Sequence, residues 1–297
     1  MSARRKSAVG RRKPKSTRKM VKALRRSARA PIRGYMFDLD GTLVLGDKGL
    51  QSYDVLPGAI ETLNKLKQRG IPYVVLTNGS AHPPAFHAAK LRAVGLPIED
   101  AQMLTPSSVT ADVFVQRGVR RALILGSPGV AHALQEAGIE TVFPAQSEGQ
   151  TFEAVYVGWH PECTIKDIEA ACNAIWAGAK MYVASDVPFF AARGGRTIGY
   201  SYAIVGAIRR LTRTPSIITG KPSQFALSVV ARHLGVRKSE VGVVGDDPLV
   251  EMIMARRGGA TGFGVCTGTT SRAQWAAQPL SRRPHRVLQG VGELLRD

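Results

Sequence analysis

An apolar stretch, Tyr35-Met36-Phe37, runs directly into Asp38-Leu39-Asp40-Gly41-Thr42. Residues two apart on an extended chain point the same way, so this spacing directs the Asp38 and Asp40 carboxylates at one place. Gly41 permits the sharp backbone turn that the end of a strand requires. Two acids crowded at a strand end repel each other, a cost that makes sense where a cation or a proton lies between them. An isolated D-x-D is weak evidence, since acids often end strands as turn formers. An apolar strand leading into D-x-D-G-T is far more specific.

Three other short elements each follow an apolar run. Leu76-Thr77-Asn78-Gly79-Ser80 offers a hydroxyl, an amide and glycine-flanked backbone N–H groups, donors suited to phosphate oxygens. Gly220-Lys221-Pro222 is expected to open a helix at Pro222, which would set an ammonium near the positive end of its dipole. Gly245-Asp246-Asp247-Pro248 precedes a helical stretch that contains Glu251. Taken singly, each has a plainer reading: Thr-Asn-Gly as a turn, Lys221 as a solvated cation, Asp246 or Asp247 as a helix cap.

The elements that must hold these groups alternate strand and helix. Strand-like apolar runs fall at Tyr35–Leu39, Tyr73–Leu76, Ala122–Leu125, Ala154–Val157, Met181–Ala184, Ile217–Ile218 and Val241–Val244. Pro57–Arg69 reads as a helix: Pro57 suits its first turn, Ile60, Leu63 and Leu66 share one face, and Gly70 supplies the stop. Such alternation argues for a parallel sheet with helices on both faces and a site beyond the carboxyl ends of its strands.

The charge is uneven. Of 41 Arg and Lys residues, 14 lie in residues 1–33, where no acid occurs, which leaves 27 basic against 22 acidic residues in the rest. The net charge of +19 therefore describes a tail and not the body. That tail is like-charged and nearly devoid of large apolar residues, so it cannot fold alone. Beside the reading of a solvated arm stand three functional ones: weak nonspecific contact with nucleic acid, contact with an anionic surface, or a mitochondrial presequence. No uncharged apolar run is long enough to span a bilayer, and no secretory signal is evident, so the expected compartment is the cytoplasm, or the mitochondrial matrix on the presequence reading. Cys163, Cys172 and Cys266 are widely spaced and form no C-x-x-C pair, so they read as small buried residues in a reducing compartment.

The order and spacing of the four chemical elements resemble those of the haloacid dehalogenase superfamily, over the chain from about Gly34 to its C-terminus. The similarity looks closest to its IIA branch of p-nitrophenyl, phosphoglycolate and pyridoxal phosphate phosphatases. Val55-Leu56-Pro57-Gly58-Ala59, Ser185-Asp186-Val187-Pro188 and Thr267-Gly268-Thr269-Thr270 are similar to stretches typical of that branch. The resemblance implies a Rossmann-like doubly wound core over residues 34–110 and 214–297, with an inserted α/β cap over residues 111–213. It implies a phosphatase that acts on a small phosphorylated metabolite, leaving a homodimer open as its assembly.

The roles it assigns agree with the chemistry of the residues. Asp38 would be the nucleophile that forms an aspartyl phosphate, and Asp40 the general acid and base. Thr77, Asn78, Gly79 and Lys221 would hold the phosphoryl oxygens. Magnesium would be held by the Asp38 carboxylate, the Asp40 carbonyl and Asp246, with Asp247 and Glu251 as further candidates. Gly79 stands where a second Asn is common, and Glu251 stands where Asp is usual. In the cap, His160, Asp186, Phe189, Phe190 and Arg193 are the candidates for choosing the substrate. Ile198-Gly199-Tyr200-Ser201 replaces the branch's Pro-Gly-x-Gly, which weakens the transfer of any particular substrate.

The chain carries no G-x-x-x-x-G-K-[ST], H-E-x-x-H or G-x-S-x-G. A dehalogenase of the superfamily attacks carbon and needs neither a second Asp nor a metal, so Asp40 and Asp246 count against it. A phosphomutase must keep water from its phosphoenzyme, a property without a sequence signature. A nucleic-acid-binding or scaffold protein on a retired core would have no need of Asp38, Asp40, Lys221 and Asp246 together.

Overall fold

The computed structural model describes residues 30–46, 52–192 and 195–296. The basic segment before residue 30 and Arg193 lie outside the described residues, and among those residues no helix is long and apolar enough to cross a membrane.

Fifteen strands are described: β1 (Gly34–Phe37), β2 (Val44–Gly46), β3 (Tyr53–Val55), β4 (Tyr73–Leu76), β5 (Met103–Leu104), β6 (Arg121–Leu125), β7 (Glu140–Val142), β8 (Ala154–Val157), β9 (Lys180–Val183), β10 (Phe189–Ala192), β11 (Gly195–Ile198), β12 (Ile217–Ile218), β13 (Val241–Gly245), β14 (Thr261–Val265) and β15 (Arg286–Leu288). Six form one parallel sheet in the order β15-β14-β13-β1-β4-β5, and five form a second parallel sheet in the order β12-β9-β8-β6-β7. Two antiparallel hairpins, β2–β3 and β10–β11, complete the set.

Strand alternation sorts the side chains into layers. On β1 and β4, Met36, Val74 and Leu76 face one apolar cluster, while Tyr35, Phe37, Tyr73 and Val75 face another. The second sheet divides in the same way: Ile124, Tyr156 and Tyr182 join the first of these clusters, while Leu123, Val155 and Val183 build a third. The first cluster is thus common to both sheets. Helices Pro106–Arg117 and Gln224–His233 contribute Val109, Phe114, Leu227 and Val230 to it. Helices Ala59–Gln68 and Pro84–Ala93 cover the opposite face of the six-stranded sheet with Leu63, Leu66, Ala88 and Leu91.

Several expectations are corrected. The helix expected from Pro57 begins at Ala59, because the backbone at Gly58 is left-handed (φ 80°) and cannot belong to its first turn. Helix Pro106–Arg117 runs unbroken through the expected 110/111 boundary. Ile217–Ile218 pairs with β9, so the second sheet extends beyond residue 213 into the stretch assigned to the core. Pro222 does not open a helix either: that helix starts at Gln224, with the Ser223 side chain accepting from the Ala226 N–H at 3.1 Å.

Candidate active site

The carboxyl ends of both sheets meet at one place. Asp38 follows β1, Thr77 follows β4, and Asp246 follows β13 in the six-stranded sheet. Lys221 comes from the other side. Backbone bonds from Thr219 N to Val183 O and from Gly220 N to Ala184 O (both 3.0 Å) extend the β12–β9 pairing to its doorstep. The fully buried Lys221 ammonium then bonds Asp38 Oδ1 and lies 2.8 Å from Glu251 Oε1. Burial alone would lower the Lys221 pKa, but the adjacent Asp38 and Glu251 carboxyls outweigh it and hold the ammonium charged, above its ordinary value.

Thr42 Oγ1 donates to Asp38 Oδ2 at 3.3 Å, so both oxygens of the expected nucleophile are oriented. Asp40, partly buried, has its carboxyl pushed up to about 7, first by burial and then by Asp38, against the pull of Lys221. Asp246 is likewise pushed up to about 7 by burial and by Asp38, although its Oδ2 accepts the Thr269 N–H at 2.7 Å. Thr269 Oγ1 also donates to the Asp246 carbonyl at 3.2 Å. The tight turn that brings these groups together needs glycine at position 41. Its φ is +82°, and a Cβ there would lie 2.7 Å from Asp246 Oδ2.

Ligand atoms of Asp38, Asp246 and Glu251 lie within 4.8 Å of one another. Five carboxyl groups, those of Asp38, Asp40, Asp246, Asp247 and Glu251, gather around the Lys221 ammonium and act on one another electrostatically. An all-oxygen donor set with surplus negative charge suits a hard divalent cation such as magnesium. Of these, Asp38 and Asp246 have ligand atoms close enough together to share such a cation. Glu251 is engaged differently: buried, it pairs with Lys221, and burial pushes its carboxyl upward against the pull of that ammonium. Asp247 Oδ1 accepts the Leu249 N–H at 2.7 Å, capping the helical turn Pro248–Met252.

The loop from Thr77 to Ser80 is more constrained than its sequence suggests. Gly79 N–H donates to Thr77 Oγ1 at 2.9 Å, so the expected Gly79 donor is turned inward, while the buried Thr77 hydroxyl keeps its own proton to give. The Asn78 side chain does not face outward as a phosphate donor. Its Oδ1 accepts the Lys221 N–H and its Nδ2 donates to the Lys221 carbonyl, both at 2.9 Å, with Ser185 Oγ at 3.4 Å. Asn78 therefore clamps the six-stranded sheet to the Lys221 peptide. Its backbone N–H makes no described hydrogen bond and remains able to meet an anion.

The remaining expected residues that are described follow β8 and β9 or lie in the β10–β11 hairpin. His160 Nε2 lies 3.4 Å from Asp167 Oδ2. Asp186 borders a cavity of about 440 Å³ together with Tyr202, Arg209, Arg210 and Arg213, none of the catalytic carboxyls lining it. Phe189 is exposed, and Phe190 is placed by its backbone in β10. Residues 185–186 are tied to the site through the Asn78–Ser185 contact; for His160 the link is its neighbour Trp159, whose N–H donates to Ser80 Oγ at 3.0 Å. Sequence reasoning gave no role to Thr42, Ser185 or Thr269. All three lie in stretches already singled out, Thr42 in D-x-D-G-T and the other two in the stretches similar to the IIA branch.

Comparison with known proteins agrees with this geometry. Residues 35–140 match the haloacid dehalogenase-like hydrolase family and residues 218–294 the HAD-hydrolase-like family, together more than half of the chain. The chain belongs to the haloacid dehalogenase-like hydrolases, in their IIA-like branch. It is similar to the 5'-nucleotidase YutF of Bacillus subtilis, at 27% identity over 81% of this chain and 89% of that protein. The sugar-phosphatase AraL of Bacillus subtilis is 25% identical over 81% of this chain and 85% of its own length. Among solved structures, the p-nitrophenyl phosphatase from Archaeoglobus fulgidus superposes with a TM-score of 0.77 at 26% identity, covering 89% of this chain and 98% of that one.

Proposed function

We propose that this chain is a magnesium-dependent phosphatase that hydrolyses a small phosphorylated metabolite through a phosphate ester of Asp38. The observation that carries this reading is the setting of Asp38. Its carboxylate is bonded to a buried ammonium on one side and lies within ligand reach of Asp246 on the other. The relatives' names, a nucleotidase, a sugar phosphatase and a p-nitrophenyl phosphatase, support a phosphate monoester as the substrate class.

The Thr77 hydroxyl, the Asn78 N–H and the Lys221 ammonium would receive the phosphoryl oxygens. An Asp38 oxygen attacks phosphorus, the bond from phosphorus to the ester oxygen breaks, and Asp40 gives its proton to the departing alcohol. A carboxyl whose pKa lies near 7 is suited to hold that proton at neutral pH. Asp40, now ionised, takes a proton from water as the water oxygen attacks the same phosphorus, and inorganic phosphate leaves with Asp38 restored. Bound magnesium would supply charge neutralisation where two anions approach each other. Glu251 and Asn78 position Lys221, one at its ammonium and one at its peptide groups.

His160, Asp186, Phe189, Phe190 and Arg193 are the candidates for selecting the leaving group. The test is a panel of sugar phosphates, nucleotides and p-nitrophenyl phosphate, assayed with magnesium and again in excess chelator. Magnesium-dependent release of phosphate, with one metabolite class preferred over the aryl ester, is the expected result. Full turnover in chelator, or no release from any monoester, would overturn the reading.

A further inference from the structure

A second cluster of ligand side chains lies away from the catalytic carboxyls, in the loop between β8 and helix Ile165–Trp176. Ligand atoms of His160, Cys163 and Asp167 fall within 4.8 Å of one another, and all three residues are partly exposed. The local fold makes this grouping. Cys163 N–H donates to the His160 carbonyl at 3.3 Å, which closes a turn and brings side chains three apart together. Thr164 then caps the helix and places Asp167 in its first turn. We propose that His160, Cys163 and Asp167 form a binding site for a borderline transition-metal ion, of which zinc is the type, distinct from the all-oxygen site at Asp38 and Asp246.

The geometry and the donor chemistry agree on this class of ion. Zinc bonds imidazole nitrogen at about 2.0–2.1 Å and carboxylate oxygen at about 2.0–2.2 Å, so a tetrahedral centre separates the two ligands by about 3.4 Å. His160 Nε2 and Asp167 Oδ2 are 3.4 Å apart. That same Asp167 oxygen accepts from Thr164 N at 2.7 Å and from Thr164 Oγ1 at 2.9 Å, which fixes the ligand in the way outer hydrogen bonds do in metal sites. A plain His–Asp ion pair would account for two of the residues and leaves Cys163 only the long contact of its Sγ with the Thr164 carbonyl, at 3.7 Å. Magnesium has little affinity for a thiolate and an imidazole, whereas zinc and cobalt(II) take both. Three protein ligands in a partly exposed loop leave a fourth position for solvent.

Occupation of the site would brace a loop that leans on the loop from Thr77 to Ser80. Trp159, beside His160, donates its N–H to Ser80 Oγ at 3.0 Å and accepts the Ser127 N–H at 2.9 Å.

The test uses the full chain saturated with magnesium and titrated with cobalt(II), followed by absorbance. One equivalent should generate a near-ultraviolet thiolate-to-cobalt charge-transfer band and visible bands of tetrahedral intensity, all bleached by one equivalent of zinc. Cys163→Ser should abolish the charge-transfer band, while Cys172→Ser and Cys266→Ser should keep it. His160→Ala, and Asp167→Asn, which retains an oxygen for the helix cap, should each weaken cobalt binding by at least about tenfold. No thiolate band in the unaltered chain, a band that survives Cys163→Ser, or affinity unchanged in both His160→Ala and Asp167→Asn would overturn the proposal.

Discussion

The two sheets contribute opposite things to the same corner of the molecule. The six-stranded sheet delivers the carboxyl groups, Asp38 and Asp40 after β1 and Asp246 and Glu251 after β13. The five-stranded sheet delivers the Lys221 ammonium, which follows β12, and the Ser185 hydroxyl, which follows β9. Neither half suffices. The carboxyls alone would be a knot of mutual repulsion, and a lone buried ammonium would lose its proton. Their union depends on how the sheets are held together, and that rests on the shared apolar cluster and on Asn78, which spans the gap. The second sheet therefore supplies the cation that the gathered carboxyls require, through Lys221.

Breaking the carboxyl half should have the larger effect. Asp246→Ala removes a carboxyl proposed to hold magnesium and should lower kcat/KM by about a hundredfold or more, with a higher magnesium requirement for whatever remains. A magnesium titration of both proteins checks it, and an unchanged half-saturating concentration would take Asp246 out of the metal site.

Weakening the link between the halves should cost less. Asn78→Ala loses both bonds to the Lys221 peptide but leaves the Asn78 backbone N–H in place. The expectation is a fall of about tenfold to a hundredfold in kcat with a smaller change in KM, because a positioning group is lost rather than a substrate contact. A change confined to KM would return Asn78 to the role of a direct phosphate ligand.

The smallest effect concerns stability. In the metal-free protein Asp40 and Asp246 each hold a proton up to about pH 7, whereas the same groups in the unfolded chain release theirs near the ordinary 3.8. Between those values the folded state binds more protons than the unfolded one. Raising the pH through that window removes them and destabilises the fold. Thermal unfolding without metal should therefore give a lower Tm at pH 8 than at pH 5.5, by on the order of several degrees. Added magnesium should raise Tm more at pH 8, where the carboxyls are free of protons. Equal gains at the two pH values would mean that the cation does not compete with those protons.

What the sequence disclosed follows the same division. The strands at Tyr73–Leu76, Ala154–Val157 and Ile217–Ile218 were legible to the residue, because strands of a covered parallel sheet are apolar runs without polar interruption. β14 was hidden because glycines break its run, Thr261-Gly262-Phe263-Gly264-Val265. β7 and β3 are three-residue runs interrupted by polar side chains, Glu140-Thr141-Val142 and Tyr53-Asp54-Val55, and carry no apolar signal. In the site, the acids after β1 and β13 could be read from local spacing alone. The pairing of Lys221 with Asp38 joins residues 183 apart in sequence, and its clamp to Asn78 joins residues 143 apart. Its place at the end of the second sheet, and the inward turn of the Asn78 and Gly79 groups, are products of tertiary packing that no local pattern carries.

The central claim is that Asp38 itself carries the phosphoryl group during turnover. Acid quenching within the first turnover on a phosphate monoester, with phosphorus-labelled substrate and magnesium present, followed by proteolysis and mass mapping, addresses it directly. The account predicts transient label on the peptide that contains Asp38, sensitive to hydroxylamine as an acyl phosphate is, and absent from Asp38→Asn, which should also lose at least about a thousandfold in kcat. Phosphate released at the normal rate by Asp38→Asn, with reversion to Asp excluded, or label found on another residue, would contradict it.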